Sequence, residues 1–169
     1  GVSNTSYVTE QAFLQVLYYF RRNLELIDRV VEAEVKLTLP ELRTPELAIR
    51  YAIEGVIDIV RQDDETWMYD LKTHDRASIE SDLESYRAQL NVYAHIWRSL
   101  MERELDNTAI ISTPLPSALR DAHRRGDELY AARIVEQWDP VVPLGYDEAE
   151  VEAMIESFGR VVEQIEVGE

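Results

Sequence analysis

Residues 55–73 read GVIDIVRQDDETWMYDLKT, and this stretch decides the fold. Two segments rich in Ile, Val, Tyr and Trp, Ala48–Arg61 and Thr66–Thr73, flank the polar run Gln62-Asp63-Asp64-Glu65. β-prone segments joined by so short a polar link predict an antiparallel hairpin. Asp58 lies before the turn and Asp70 after it at nearly equal distances, so hairpin pairing can place Asp58 beside Asp70 and Lys72. Asp70 and Lys72, two residues apart, project from one face of their strand. An acid inside an apolar strand is costly unless it is paired or holds a cation. Two carboxylates side by side repel, and a hard divalent cation relieves that repulsion. Oxygen ligands with open water positions describe a Mg²⁺ or Mn²⁺ site. The Lys72 ammonium would then orient a water at the cation or help to deprotonate it. The plainer alternative is a half-solvated Asp–Lys pair on a strand face, which contributes little.

Upstream, Val31, Ala33, Val35, Leu37 and Leu39 alternate with Glu32, Glu34, Lys36 and Thr38. Period two over Val31–Leu39 reads as a half-buried strand, ended by Pro40. Before it, from Tyr7 to about Val31, Val8, Phe13, Val16, Leu17, Phe20, Leu24 and Ile27 recur at three- and four-residue steps. That spacing predicts an amphipathic helix or two, with Thr9 able to cap a start near Glu10. Downstream, Ser81–Leu105 is helical, its stripe formed by Leu83, Tyr86, Leu90, Tyr93, Ile96, Trp97 and Leu100. Gln89 and Tyr93, four apart, share a helix face, where an amide and a phenol can bond a phosphate or steady a lysine. The alternative makes Tyr93 core and Gln89 the edge of its stripe. Next come a short strand at Thr108–Thr113 stopped by Pro114 and Pro116, a basic helix at Ser117–Arg125 closed by Gly126, and a candidate edge strand at Leu129–Val135. An acidic helix at Tyr146–Val167 ends the chain. With no repeat or linker in view, residues 1–169 read as a single domain. A three-strand meander, a crossover helix and a further strand predict an α/β sandwich with a central mixed sheet flanked by helices.

The ordered set Gly55-x-Ile57-Asp58, Asp70-Leu71-Lys72-Thr73 and Gln89-Leu90-x-x-Tyr93 resembles the PD-(D/E)XK nuclease superfamily. The nearest branch is the RecB-like exonucleases, with the pattern G-x-x-D, D-x-K-T, Q-L-x-x-Y. The resemblance covers roughly Glu32 to Pro114 and implies a restriction-endonuclease-like core. It also implies that Asp58, Asp70 and the Leu71 carbonyl are metal ligands, that Lys72 is the catalytic lysine, and that Gln89 and Tyr93 support it. RecB-like members usually carry a His, often with a Glu, on the helix before the first strand. Here His74, His95 and His123 all follow Asp58, so none fills that place. Glu25, near the end of that helix, is the favoured acid for it, ahead of Glu10 and of Glu34, which is expected to face solvent. The gap leaves open a one-metal site, a weakened enzyme or a truncated N-terminus. His74 reads as the polar end of its strand, with metal or phosphate contact as the alternative. Trp67, Trp97 and Trp138 could stack on bases, although Trp97, on the apolar stripe, reads as core.

Composition bounds the chemistry. The absence of Cys excludes disulfides, thiolate zinc sites, a cysteine nucleophile and the iron–sulfur branch of the same family. No apolar run approaches the roughly 20 residues that span a bilayer, and nothing reads as a signal peptide, which predicts a cytoplasmic protein. The chain opens on Gly1 and is read as a possible piece of something longer. Its 169 residues carry 17 basic and 33 acidic side chains, a net charge of −16. Only Lys36 and Lys72 are lysine; the other 15 basic residues are Arg. An acidic, lysine-poor surface suits high salt, where self-repulsion is screened, so a halophilic source is expected; a GC-rich coding sequence is the alternative. The same charge opposes approach to DNA, whose binding weakens steeply with salt. Arg21-Arg22 in the first helix, and Arg124-Arg125 with Arg120 and His123 after the fourth strand, are the candidate nucleic-acid contacts. The expected function is a metal-dependent deoxyribonuclease, an exonuclease on the resemblance alone. The alternatives are a catalytically weak nuclease-fold protein that binds DNA or scaffolds a repair or recombination complex, and an unrelated structural α/β protein.

Overall fold

The structure is a computed structural model that describes residues 2–168, with side chains from residue 7. Helices α1 (Val2–Arg22) and α2 (Leu24–Ile27) lead into the meander β1 (Val30–Arg43), β2 (Arg50–Gln62) and β3 (Thr66–Lys72). Helices α3 (Arg76–Glu80) and α4 (Leu83–Met101) cross over to β4 (Asn107–Ser112). Then come α5 (Ser117–Arg125), α6 (Glu128–Gln137), β5 (Val141–Leu144) and α7 (Glu148–Val167). The sheet order is β1-β2-β3-β4-β5. Only the β3–β4 pair is parallel, as a helical crossover requires; the others are antiparallel. The predicted mixed sheet flanked by helices is therefore the fold.

The main core lies on one face, where Leu37, Ile57, Met68 and Ile110 of the sheet meet Leu90, Ile96 and Trp97 of α4, with Met154 of α7 at its edge. Against the opposite face Leu26 packs on Tyr69, Ala109 and Ile111. Beyond it, α1, α5 and α6 share Leu14, Tyr18, Leu119, Ala131 and Trp138. Trp97 is core, as its stripe predicts. No described helix is long and apolar enough to cross a membrane.

Several local expectations are corrected. Leu129–Val135 is not an edge strand but the body of α6, capped by Asp127, whose side chain accepts the Tyr130 N–H. Ala131, Ile134 and Val135 turn one side inward at helical spacing, while Leu129 stays exposed. The edge position belongs to β5, where Pro143 hides the strand signal; an outer strand tolerates the missing N–H. β1 does not end at Pro40. A register shift between Leu39 and Leu42, with Glu41 at φ 62°, carries it on to Arg43. The helix expected over Ser81–Leu105 is α4, which stops at Met101 where Glu102 takes a left-handed conformation, and the sequence reading missed only the short α3 before it, capped by Asp75. Thr9 lies inside α1 rather than at its start, since the helix extends back through the polar residues to Val2. Gly126 does close α5, with φ at 68°.

Candidate metal centre

The centre begins with a fault in β2. Ile57 lies in the core beneath α4, whereas Ile59, two residues on, packs against the other face of the sheet. Simple alternation would put both on one side, so β2 turns over at Asp58. β1 turns with it: Glu34, at φ 53°, falls between the Ala33–Ile59 and Val35–Ile57 pairs and is exposed. The β2–β3 ladder stops at Ile59–Tyr69, one step short of the place where Asp58 would face Asp70. β3 continues on its other side, pairing Asp70 with Ile110 and Lys72 with Ser112 of β4.

Side chains fill the opening. The Asp58 Oδ2 accepts the Leu71 N–H at 2.7 Å, replacing the ladder bond that β2 no longer supplies. The N–H and C=O of one strand residue point to the same edge, so the Leu71 carbonyl also turns toward Asp58. Asp70 is buried, and its Oδ2 forms an ion pair with the Lys72 Nζ at 2.6 Å without a well-aligned hydrogen bond. Burial raises the Asp70 carboxyl above its ordinary pKa; Lys72 pulls it down and the nearby Asp58 carboxylate pushes it up. The other lysine, Lys36, merely meets Glu54 in solvent.

Helix α4 closes the centre with one face. The Gln89 Nε2 donates to the Tyr93 hydroxyl at 3.1 Å. The Tyr93 ring lies so close beneath Gly55 that a Cβ there would stand 2.3 Å from its Cε1. The glycine three residues before Asp58 is thus a packing requirement of the helix that carries Gln89 and Tyr93. Tyr86, at heptad spacing from Tyr93, adds a contact where its stripe predicts core alone. The Lys72 Nζ stands 5.7 Å from the Tyr86 ring centroid, and the Tyr86 hydroxyl meets the His74 Nδ1 at 3.0 Å. The phenol ring flanks the ammonium, and His74 holds the phenol through its hydroxyl. The signal was available, since Tyr86 lies three residues before Gln89 on the same helix face.

The remaining candidates are placed elsewhere. Among the described residues no three His, Asp or Glu side chains gather as a metal cluster, so Glu25 does not join Asp58 and Asp70. The short α2 carries it instead into an arginine-lined cleft with Arg21 and Arg22. Arg124 is paired with Asp121, Arg125 lies over the Tyr130 ring, and the His123 Nδ1 meets the Tyr18 hydroxyl. Of the α5 cluster, Arg120 reaches the end of β3, where it lines a small cleft with Thr73, Gln11 and Gln15. The two glutamines, four residues apart, share one face of α1.

The donor set suits a hard cation. Two carboxylates and a strand-edge carbonyl offer only oxygen, few enough to leave several positions to water and substrate, as Mg²⁺ and Mn²⁺ prefer. The chain is 32% identical over 68 residues to an ATP-dependent helicase/nuclease subunit from Ligilactobacillus salivarius (strain UCC118). That match takes in 40% of this chain and only 5% of that much longer protein. A match to the PD-(D/E)XK nuclease superfamily extends over residues 4–169, nearly the whole chain. The motifs on β2, β3 and α4 and the sheet that carries them thus have one explanation: the chain belongs to the PD-(D/E)XK nuclease superfamily.

Proposed function

We propose that the protein is a divalent-metal-dependent deoxyribonuclease, an exonuclease, with Asp58, Asp70 and the Leu71 carbonyl holding Mg²⁺ or Mn²⁺. The observation that carries this reading is the Asp58 carboxylate fixed against the Leu71 N–H at the point where β2 leaves β3, beside the buried Asp70–Lys72 pair. When bound, the cation supplies Lewis-acid polarisation of the phosphate and a more acidic water. The side chains do the positioning. Asp70 and the Tyr86 ring hold the Lys72 ammonium, which orients the attacking water and stabilises charge as the phosphodiester bond breaks. Gln89 holds the Tyr93 hydroxyl toward the same opening, as a positioning pair for Lys72 or the scissile phosphate. Arg120, with Gln11 and Gln15, lies beyond the end of β3 at Thr73, where the next stretch of DNA would pass. The relative is named as a subunit of a helicase/nuclease, which supports a larger complex as the setting; repair or recombination in the cytoplasm is the role proposed for it.

The test is cleavage of linear and circular, single- and double-stranded DNA with Mg²⁺ or Mn²⁺, beside Asp70→Asn and Lys72→Ala. Metal-dependent loss of linear but not circular DNA, abolished in both variants, is the expected result. No cleavage by folded protein in any salt or metal would overturn the enzyme reading. One observation favours the second reading, a catalytically weak protein that binds DNA or scaffolds a complex: no third acid or histidine joins Asp58 and Asp70 among the described residues. It predicts DNA binding without turnover.

A further inference from the structure

On the α1–α2 side of the sheet, a cleft of about 510 Å³ is lined by Arg21, Arg22, Arg29 and Arg61 and by a single carboxylate, Glu25. In a chain with 33 acids against 17 bases, this local balance is inverted. Several arginines elsewhere are paired with carboxylates: Arg76 meets Glu80 and Asp139, Arg87 meets Glu150, and Arg160 meets Glu156. Among the described residues, Arg21 and Arg22 meet no carboxylate. Arg21 lies over the Tyr18 ring, and the Arg22 Nε donates to the Trp138 carbonyl. Arg29 and Arg61 share one partner, Asp63, at 2.7 and 3.3 Å. The Arg61 guanidinium is laid over the Trp67 ring at 5.4 Å, and its buried Nε has no hydrogen-bond partner.

Gathering four guanidiniums is unfavourable unless an anion joins them, because like charges in a partly dry cleft repel. Here they are fixed by a carbonyl, two aromatic rings and one shared carboxylate, so their positions do not depend on a ligand. Planar forks of this kind match phosphate oxygens two at a time. The volume exceeds one phosphate and suits a run of sugar–phosphate backbone. We infer that this cleft is a second anion site, binding backbone phosphates of the DNA strand away from the cleavage point. Arg61 is three residues along β2 from Asp58, roughly 10 Å at strand rise. A duplex strand places about three phosphates in that span. Glu25, the lone carboxylate, opposes phosphate entry and weakens the site. The inference rests on the nuclease reading for the identity of the polyanion, not for the existence of the cleft.

The test is binding of a labelled oligonucleotide, single-stranded and duplex, followed by fluorescence anisotropy in EDTA from low to molar KCl. Arg21→Gln/Arg29→Gln removes two exposed guanidiniums, and Arg22→Gln removes a half-buried one; circular dichroism melts confirm that each is folded. The double variant is expected to bind more weakly and to flatten the log–log salt slope by about 1.4 on single strands and about 1.8 on duplex. Glu25→Gln is expected to bind more tightly than wild type, a change that general destabilisation does not produce. Unchanged affinity and slope in all three variants, with wild-type binding and cleavage intact, would sink the cleft and leave the nuclease reading standing. A wild-type protein that neither binds nor cleaves DNA would sink both.

Discussion

Replacing Gly55 by Ala tests how the helix that carries Gln89 and Tyr93 is set against the strand that carries Asp58. A Cβ built at Gly55 would lie 2.3 Å from Cε1 and 2.6 Å from Cζ of Tyr93. Ordinary contact begins near 3.4 Å, so the ring must withdraw by about 1 Å in a core with little free volume. Two effects oppose one another. Alanine restricts the unfolded chain more than glycine and would stabilise by about 0.4–1 kcal/mol if it fitted. Overpacking costs about 1–3 kcal/mol, and a contact this short puts Gly55→Ala toward the upper end. The net expectation is a loss of about 1–2 kcal/mol, at about 2–4 °C of melting temperature per kcal/mol for a chain of this size. Activity should suffer more than stability, because moving the ring moves the phenol that Gln89 holds. A displacement of about 1 Å in positioning groups can cost about a hundredfold in rate. The assay is a double-mutant cycle with Tyr93→Ala, read by thermal melts and by metal-dependent cleavage. With the ring gone, Gly55→Ala has nothing to strike, so its cost should largely vanish, giving a coupling of about 1–3 kcal/mol. Equal destabilisation in both backgrounds, or a Gly55→Ala protein as stable and active as wild type, would refute the contact.

Four further outcomes follow from the same geometry. Asp70→Asn should abolish cleavage and leave the metal-free protein at least as stable as wild type at neutral pH. The Asp70 carboxyl is raised on folding, so the native state holds its proton to a higher pH than the unfolded chain does. Stability therefore falls as pH rises between the unfolded and folded values, and asparagine removes that fall; melts from pH 4 to 8 in EDTA check it. Mn²⁺ should raise the melting temperature of wild type, by mass action worth about 2.7 kcal/mol at a hundredfold excess over Kd, and leave Asp58→Asn/Asp70→Asn unmoved. Glu163 accepts the N–H groups of Glu46 and Leu47, both at 2.8 Å, and its carboxyl is held below the usual glutamate range, first by Thr44 and then by those N–H groups. Its stabilisation is complete above the ordinary glutamate pKa and is lost as pH falls through the lowered one, so Glu163→Gln should shift the melt at neutral pH and hardly at all in acid. With a net charge of −16, melting temperature should climb as KCl rises from low to molar concentrations; a flat profile would remove the case for a salt-adapted surface.

What could be read from the sequence was whatever depends on distance from a turn. Asp58 and Asp70 lie at nearly equal distances from the polar link, and the sheet sets them in facing register although the ladder itself stops one pair short. Alternation gave less, because it fails at the site: a reader counting by two would put Ile57 and Ile59 on one face, and they lie on opposite faces. The same break turns Asp58 away from ladder pairing and frees its carboxylate to take the Leu71 N–H. A local rule of strand geometry is therefore broken where the chemistry is proposed to occur, and the cost is carried in part by Glu34 at φ 53° on the neighbouring strand. Glu25 lies apart from Asp58 and Asp70 for a different reason. Its position near the end of the first helical stretch was legible, but the break at Asn23 was not, and that break starts the separate turn that points Glu25 toward Arg29. Leu129–Val135 misled because its apolar residues fit either period in so short a run; Asp127, a capping residue, held the deciding signal. The placement of Arg120 beside Thr73 depends on how α5 docks, which no local pattern encodes, whereas Tyr86 was legible as a neighbour of Gln89 on α4 and only its contact with Lys72 was not. The ammonium between Asp70 and Tyr86 joins both kinds of information. Its strand position was written in D-L-K, and its environment was assembled only when α4 packed across the face of β3.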